Sequence, residues 1–166
     1  MQLNGLIYTL PKEIKLLIGA FILVLSIGFY TGLIFVGETS SAAPNGIEEQ
    51  YLGNEADEDA EVMKFKKSEQ EMLTLVHNHI LSMSIIFFLV GLVLSTTKLN
   101  QKLKLFLIVE PFVSVVLTFG GLYLLWTGLL WMKYIVMLSG ILMTLTFTAS
   151  VLIILFQLFK NKTTTV

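Results

Sequence analysis

Two histidines and one glutamate lie inside long apolar runs of this sequence: His77 and His79 in one run, Glu110 in another. Ionisable groups at such positions are costly and usually functional. The histidines stand two residues apart, about 200° of rotation on a helix, so they cannot close on one metal ion together. His79 does share a helical face with Met72, Val76 and Met83. An imidazole between two thioethers suits Cu(I), which makes His79, Met72 and Met83 a candidate metal set. The same region offers an axial haem ligand, with His77, His79 and Met83 as the candidate cofactor residues. Against both stands a plainer reading, in which each imidazole hydrogen-bonds to a neighbouring helix while methionine fills gaps. The chain has no further histidine, so a two-histidine haem site on facing helices cannot be completed within it.

Glu110 has Ser114 at i+4 and Thr118 at i+8, and Gly121 continues the line. Such an intramembrane polar stripe is expected to face protein, and Pro111 removes one helical hydrogen bond beside it. Inserting an acid near the centre of a membrane helix costs about 2.5–3.5 kcal/mol. Glu110 must therefore be protonated, reached by Lys102 or Lys104, or met by another subunit. A proton relay is the sharp reading of the stripe, and an interhelical hydrogen bond is the plain one.

Other chemistry is poorly represented. Ser82 falls at i+5 from His77 and i+3 from His79, and no acid is placed to orient either ring for nucleophilic catalysis. The acidic run Asp57-Glu58-Asp59 with Glu61 lacks the spacing and glycine of an EF-hand loop and reads as solvated chain. The absence of cysteine excludes disulfides, thiolate metal sites and thiol catalysis. All eleven cations are lysine and the net charge is −1. That balance gives no basic surface for nucleic acid.

The elements that must position these residues are membrane helices. Only 14% of residues are charged and mean hydropathy is +0.80, against roughly a quarter charged in soluble domains. Four apolar runs are each long enough to cross about 30 Å of hydrocarbon at about 1.5 Å per residue. The pattern predicts helices over about 14–36, 69–97, 105–126 and 133–159, within a single domain covering 1–166. Ser40-Ser41-Ala42 mimics a signal-peptide cleavage site. The apolar stretch before it exceeds the about 7–15 residues of such a region, so the helix is expected to be retained.

Lysine placement sets the orientation. Lys12 and Lys15 precede the first run, Lys98, Lys102 and Lys104 separate the second and third, and Lys160 and Lys162 follow the fourth. Those flanks belong on the cytoplasmic side, with both termini inside. The segment from Gly37 into the second run carries Glu38, Glu48, Glu49, Glu55, Asp57, Glu58, Asp59, Glu61, Glu69 and Glu71, ten of the twelve acids, and belongs outside. Tyr123, Trp126, Trp131 and Tyr134 cluster at the turn between the last two runs, where amphipathic rings favour the headgroup level. The outer loop, about 37–67, is polar and punctuated by Pro44, Gly46 and Gly53, and is expected to be mostly irregular. It ends in Ser68-Glu69-Gln70-Glu71, which fits a helix capping box. Gly28 with Gly32, then Gly120, Gly121 and Gly128, and Gly140 with Thr144 and Thr148, read as packing faces.

The segments GIEEQYLGNE, MKFKKSEQEMLTLVHNH, VEPFVSVVLTFGGLYL and VMLSGILM resemble those of a set of four-helix bacterial inner-membrane proteins to which no activity is attached. The resemblance covers nearly the whole chain from the first helix onward. It implies that Tyr51, Gly53, Asn54, Lys67, Ser68, His77, His79, Glu110, Pro111, Gly120 and Gly121 belong to a shared pattern. It also implies that the outer loop folds back on the entrance of the second helix.

The sequence thus points to an all-α, integral membrane four-helix bundle of the inner membrane, N-in and C-in, with one acidic extracytoplasmic loop. Its expected role is a non-enzymatic accessory or interaction subunit, meeting the lipid bilayer and other membrane subunits or a second copy. A haem- or copper-binding protein using the outer histidines is the alternative, and a small proton-linked carrier using Glu110, Ser114 and Thr118 the second alternative. A reporter fused at the C-terminus is expected to be active on the cytoplasmic side, one inserted near Asn54 on the outer side, and the chain should stay in membranes through alkaline carbonate washing.

Overall fold

Backbone amides in hydrocarbon have no water to bond, so each apolar run must close its hydrogen bonds on itself as a helix. The computed structural model describes residues 3–40, 44–55 and 62–160. The acidic run Asp57-Glu58-Asp59 with Glu61, the Ser41-Ala42 pair and Lys162 lie outside the described residues. Among the described residues six α-helices follow in chain order: α1 (Lys12–Ser40), α2 (Pro44–Leu52), α3 (Glu69–Ser95), α4 (Gln101–Val115), α5 (Gly121–Trp126) and α6 (Met132–Phe159). A π-turn over Val116–Gly120 joins α4 to α5, so that the two run on as one span, and a 3-10 turn at Leu6–Thr9 precedes α1. Four helical stretches are long and apolar enough to cross a membrane: Lys12–Thr39, Glu69–Ser95, Gln101–Trp126 and Met132–Phe159. No strand occurs among the described residues. The expected all-helical four-span bundle is what the chain forms.

Packing is uneven. The third and fourth spans are the most enclosed, whereas α1 has only 17% of its most apolar window buried. Most of its side chains therefore face outward. What holds α1 is chiefly α6, through Phe29 stacked on Phe147 at 4.0 Å between ring centroids and through Tyr30, whose hydroxyl pairs with Thr148 at 2.8 Å. From α3, Phe87 meets Phe147 edge-on at 6.2 Å. Phe147, fully buried, is thus the ring against which both α1 and α3 lie. Aromatic pairs of this kind add about 0.5–1.5 kcal/mol each beyond burial.

The glycines divide unexpectedly. Gly28 and Gly32 have nothing within 4 Å of a would-be Cβ among the described residues, and the same holds for Gly120, Gly128 and Gly140, so these glycines themselves make no close approach there. The close approach is made at Gly121, where a Cβ would lie 2.9 Å from Val136 Cγ2, and at Gly19, where Phe159 Cζ lies at 3.3 Å. Small-residue spacing marks where helices are able to approach and does not say which neighbour is there.

One end of the bundle is closed by polar clasps on the α3–α4 turn. Gln157, 8% exposed, donates from Nε2 to the Lys98 carbonyl at 3.0 Å and accepts the Lys98 amide on Oε1 at 2.7 Å. The Ile7 amide donates to the Thr96 carbonyl at 3.2 Å, tying the N-terminal segment to the same turn. Asn100 caps α4 by accepting the Lys102 amide at 2.9 Å. This cap starts the helix before the apolar run begins.

At the other end, part of the segment expected to be mostly irregular is helical. Residues Pro44–Leu52 form a helix. Proline is suited to a first helical position because its fixed φ is already helical and its missing N–H is not needed there. Ile47 and Tyr51 then pack on the core, and Glu48 reaches Lys133 of α6 at 2.6 Å. The chain turns at Gly53, φ +84°, where a Cβ would lie 2.8 Å from the Lys64 carbonyl. Asn54 clasps the returning strand of chain, its amide donating to Lys64 O at 2.9 Å and its Oδ1 accepting the Lys64 amide at 2.6 Å. The Lys67 amide donates to the Tyr51 carbonyl at 3.1 Å. Trp126 Nε1 donates to Lys67 O at 2.8 Å, while Lys66 Nζ sits 5.1 Å from the Trp126 ring. The capping box is present: the Glu71 amide donates to Ser68 Oγ at 3.3 Å and the Ser68 amide to Glu71 Oε2 at 2.8 Å.

Two predictions follow from this packing. Gly121→Ala should lower stability in detergent by about 1–3 kcal/mol through overpacking against Val136, whereas Gly28→Ala should leave it unchanged or slightly raised; thermal unfolding of the two variants compares them. Burial holds the Tyr51 phenol above its ordinary ionisation range. The unfolded chain then loses that proton first, so stability is fully present below pH about 10 and falls as pH rises beyond it. Unfolding temperatures measured across that range should fall less steeply in Tyr51→Phe.

Candidate functional site

Two groups of polar side chains are candidates, one on the N-terminal half of α3 and one between α4 and α6. On α3 the helix begins at the Ser68 cap, level with Trp126, and its first turns carry Gln70, Thr74, His77, Asn78, His79 and Ser82 on exposed positions. Between Met72 and Phe87 no residue of α3 is fully buried, although Leu75, Val76, Ile80, Met83 and Ile86 pack on the core from one face. An open cleft of about 430 Å³ runs along it, lined by Ser68, Gln70, Glu71, Thr74, Leu75, Asn78 and His79.

His79 stacks on Phe119 at 4.6 Å and 30°, and its Nδ1 lies 2.8 Å from the Leu75 carbonyl. With a carbonyl as acceptor, Nδ1 carries a proton, and Nε2 is the nitrogen that a neutral ring would offer as a lone pair. The His77 ring and the Asn78 side-chain amide have no hydrogen-bond partner among the described residues. Ser82 donates to the Asn78 carbonyl at 2.7 Å, so its hydroxyl is satisfied by its own helix and not by an imidazole. Met72 is fully buried, Met83 half-buried and His79 exposed. Among the described residues no group of three His, Cys, Asp or Glu side chains is gathered to hold a metal ion.

The second group lies in the bundle interior. Glu110, Ser114 and Thr118 are 8%, 2% and 8% exposed. Ser114 Oγ donates to Glu110 Oε1 within α4, one turn apart. Thr118, inside the π-turn, pairs with Ser139 of α6 at 2.7 Å, and Ser139 also donates to the Ile135 carbonyl at 2.7 Å. The stripe is therefore two separate contacts, one within a helix and one between helices. Glu110 Oε2 is buried and has no partner among the described residues.

Lys104 is not that partner. Its Nζ donates to the carbonyls of Ser95 and Thr97 at 3.1 and 2.5 Å and to Asn4 Oδ1 at 2.9 Å. It covers carbonyls left open at the C-terminal end of α3, where a cation is favoured. Lys102 is exposed on the first turn of α4.

Three features were missed by sequence reasoning: the Gln157 clasp, Ser139 as partner of Thr118, and Phe147 as the central ring. A glutamine in the last turns of an otherwise apolar helix was the available signal for the first. The other two depend on which helix faces which, and one sequence does not carry that.

A model of a family described as a transmembrane helical domain, Aq_1264_TM, matches residues 41–165. No curated protein and no solved structure matches the chain. The matched residues take in α2 to α6, which include three of the four membrane-length helices and both polar groups, and they amount to well over half of the 166 residues. This chain, a multi-pass integral membrane protein, belongs to the Aq_1264_TM family of transmembrane helical domains.

Proposed function

We propose that the chain is a non-enzymatic component of a membrane assembly and docks through the polar outer half of α3. The observation that carries this reading is the pair His77 and Asn78, exposed near the outer end of a membrane helix with no partner for either side chain among the described residues. An amide or imidazole facing lipid lacks the water that would satisfy it, and a facing helix supplies the missing bonds at about 0.6–2 kcal/mol each. The cleft beside Thr74 and Asn78 leaves room for such a helix. In this reading the end bearing Lys98, Lys102, Lys104 and Lys160 faces the cytoplasm, the α2 cap faces outward, and the membrane is the inner one. The partner is another membrane subunit or a second copy.

A second reading is favoured by one observation. His79 presents Nε2 as a free lone pair because Nδ1 is committed to the Leu75 carbonyl, the arrangement by which proteins orient a metal-ligating imidazole. Haem or copper supplied with further ligands from a partner would fit it, with Met83 half-buried one turn further along.

Purification from native membranes in mild detergent separates the readings. The docking reading expects an assembly heavier than one chain, converted to monomer by Asn78→Leu with His77→Leu, and no haem absorption band. A monomeric protein carrying such a band, or about one copper per chain, lost in His79→Ala, would replace it with the cofactor reading.

A further inference from the structure

We propose that the segment 62–67 is an interfacial anchor, with Met63 and Phe65 set into the headgroup–acyl boundary of a phospholipid leaflet and Lys66 against the lipid phosphates. Its level in the molecule is fixed by ties to the ends of membrane-length helices. Lys64 Nζ donates to the Thr39 carbonyl at 3.0 Å, Trp126 Nε1 donates to Lys67 O at 2.8 Å, and the chain passes directly into Ser68, the cap of α3. Thr39, Trp126 and Glu69 are the residues at which three of the four spans end or begin on this side. The segment therefore lies in the plane where hydrocarbon gives way to headgroups.

What it exposes at that level is unlike a water-facing loop. Val62, Met63 and Phe65 are 66%, 55% and 68% exposed. Three apolar side chains within four residues are costly in water, and the headgroup–acyl boundary removes that cost. The charge changes sign at the same point: no acid occurs between Glu61 and Glu69, and Lys64, Lys66 and Lys67 occupy that interval. Lys64 is engaged by the Thr39 carbonyl, and Lys67 lies 3.8 Å from Glu71. Lys66 is exposed, has no acid partner among the described residues, and sits with its Nζ 5.1 Å from the Trp126 ring. An ammonium held beside an indole at this depth is complemented by phosphate, the anion that every phospholipid carries. The patch also continues surface that already meets lipid. Trp131 and Tyr134, 59% and 60% exposed, flank Met132, where the fourth span begins, and amphipathic rings favour that depth. Any phospholipid leaflet supplies this chemistry, whichever side of the membrane the α2 end faces.

The chain has no cysteine, so Phe65→Cys carries a single nitroxide spin label in the whole protein, reconstituted in vesicles of phosphatidylcholine and phosphatidylglycerol. Collision rates are measured with oxygen, which concentrates in hydrocarbon, and with a neutral nickel chelate, which stays in water. The oxygen-to-nickel ratio at position 65 is expected to be several-fold above that of the same label in Glu55→Cys, an exposed position beside the acidic run. A ratio equal to that of Glu55→Cys would put the segment in water and overturn the proposal. Low collision with both reagents would mean that protein covers the segment, and would overturn it equally. Should a label at position 65 unseat the cap, Met63→Cys supplies the second reading, with the same high ratio expected and the same outcomes against it. Adding Lys66→Glu to the labelled chain sets an anion against phosphate and should lower the ratio toward the Glu55→Cys value. An unchanged ratio would remove phosphate as the partner of Lys66.

Discussion

In hydrocarbon, a polar group that lacks a protein partner has nothing else to bond, and the placement of nearly every hydroxyl, amide and charged side chain here answers to that. Ser26, Thr31, Thr39, Ser82, Thr144, Thr146 and Thr148 return their hydroxyls to carbonyls of their own helices. Gln157 turns both ends of its amide to one peptide unit, at Lys98. Lys104 bends back to carbonyls that α3 leaves open. Against that background Glu110 Oε2, buried with no partner among the described residues, and the exposed side chains of His77 and Asn78 on α3 become informative.

The same constraint relaxes at the α2 end of the bundle, where lipid gives way to water, and the architecture changes with it. There the chain uses a short helix, a left-handed glycine and an asparagine clasp. It fastens them to the bundle by one indole N–H, one partly buried ion pair and a cation over a ring. Each is modest alone, the exposed Lys67–Glu71 pair at 3.8 Å most of all. Together they bring residues of α2, α3, α5 and α6 to one place, and Lys64 adds a bond to the Thr39 carbonyl of α1 at 3.0 Å.

How much of this could be read from residues alone differs by element. The four spans were legible because an uncharged run of their length has few other fates. The Ser68 cap was legible because its reciprocal bonds are local, involving only residues three apart. Helical spacing led to the expectation that Glu110 faces protein, whereas the exposure of His77, Asn78 and His79 on α3 was not read from the residues. Helix α2 was not, since Pro44, Gly46 and Gly53 look like loop punctuation until Ile47 and Tyr51 have a surface to pack on. Gly28 and Gly32 of α1 permit a close approach that no helix among the described residues makes, and spacing alone does not say which neighbour is there. The separation of Ser114 from Thr118 was likewise hidden, since it arises from a change of helical pitch that composition does not announce.

That change of pitch, the π-turn at Val116–Gly120, sets the angular phase of everything that follows it. One residue more or fewer rotates a helix by about 100°. Were the span α-helical throughout, with the Glu110 side in place, Trp126 would swing away from Lys67 and Gly121 would no longer meet Val136. The irregular turn buried in the membrane interior thus acts as a vernier for the surface at the α2 end, and a one-residue deletion deep in lipid would be felt first by the cap in water.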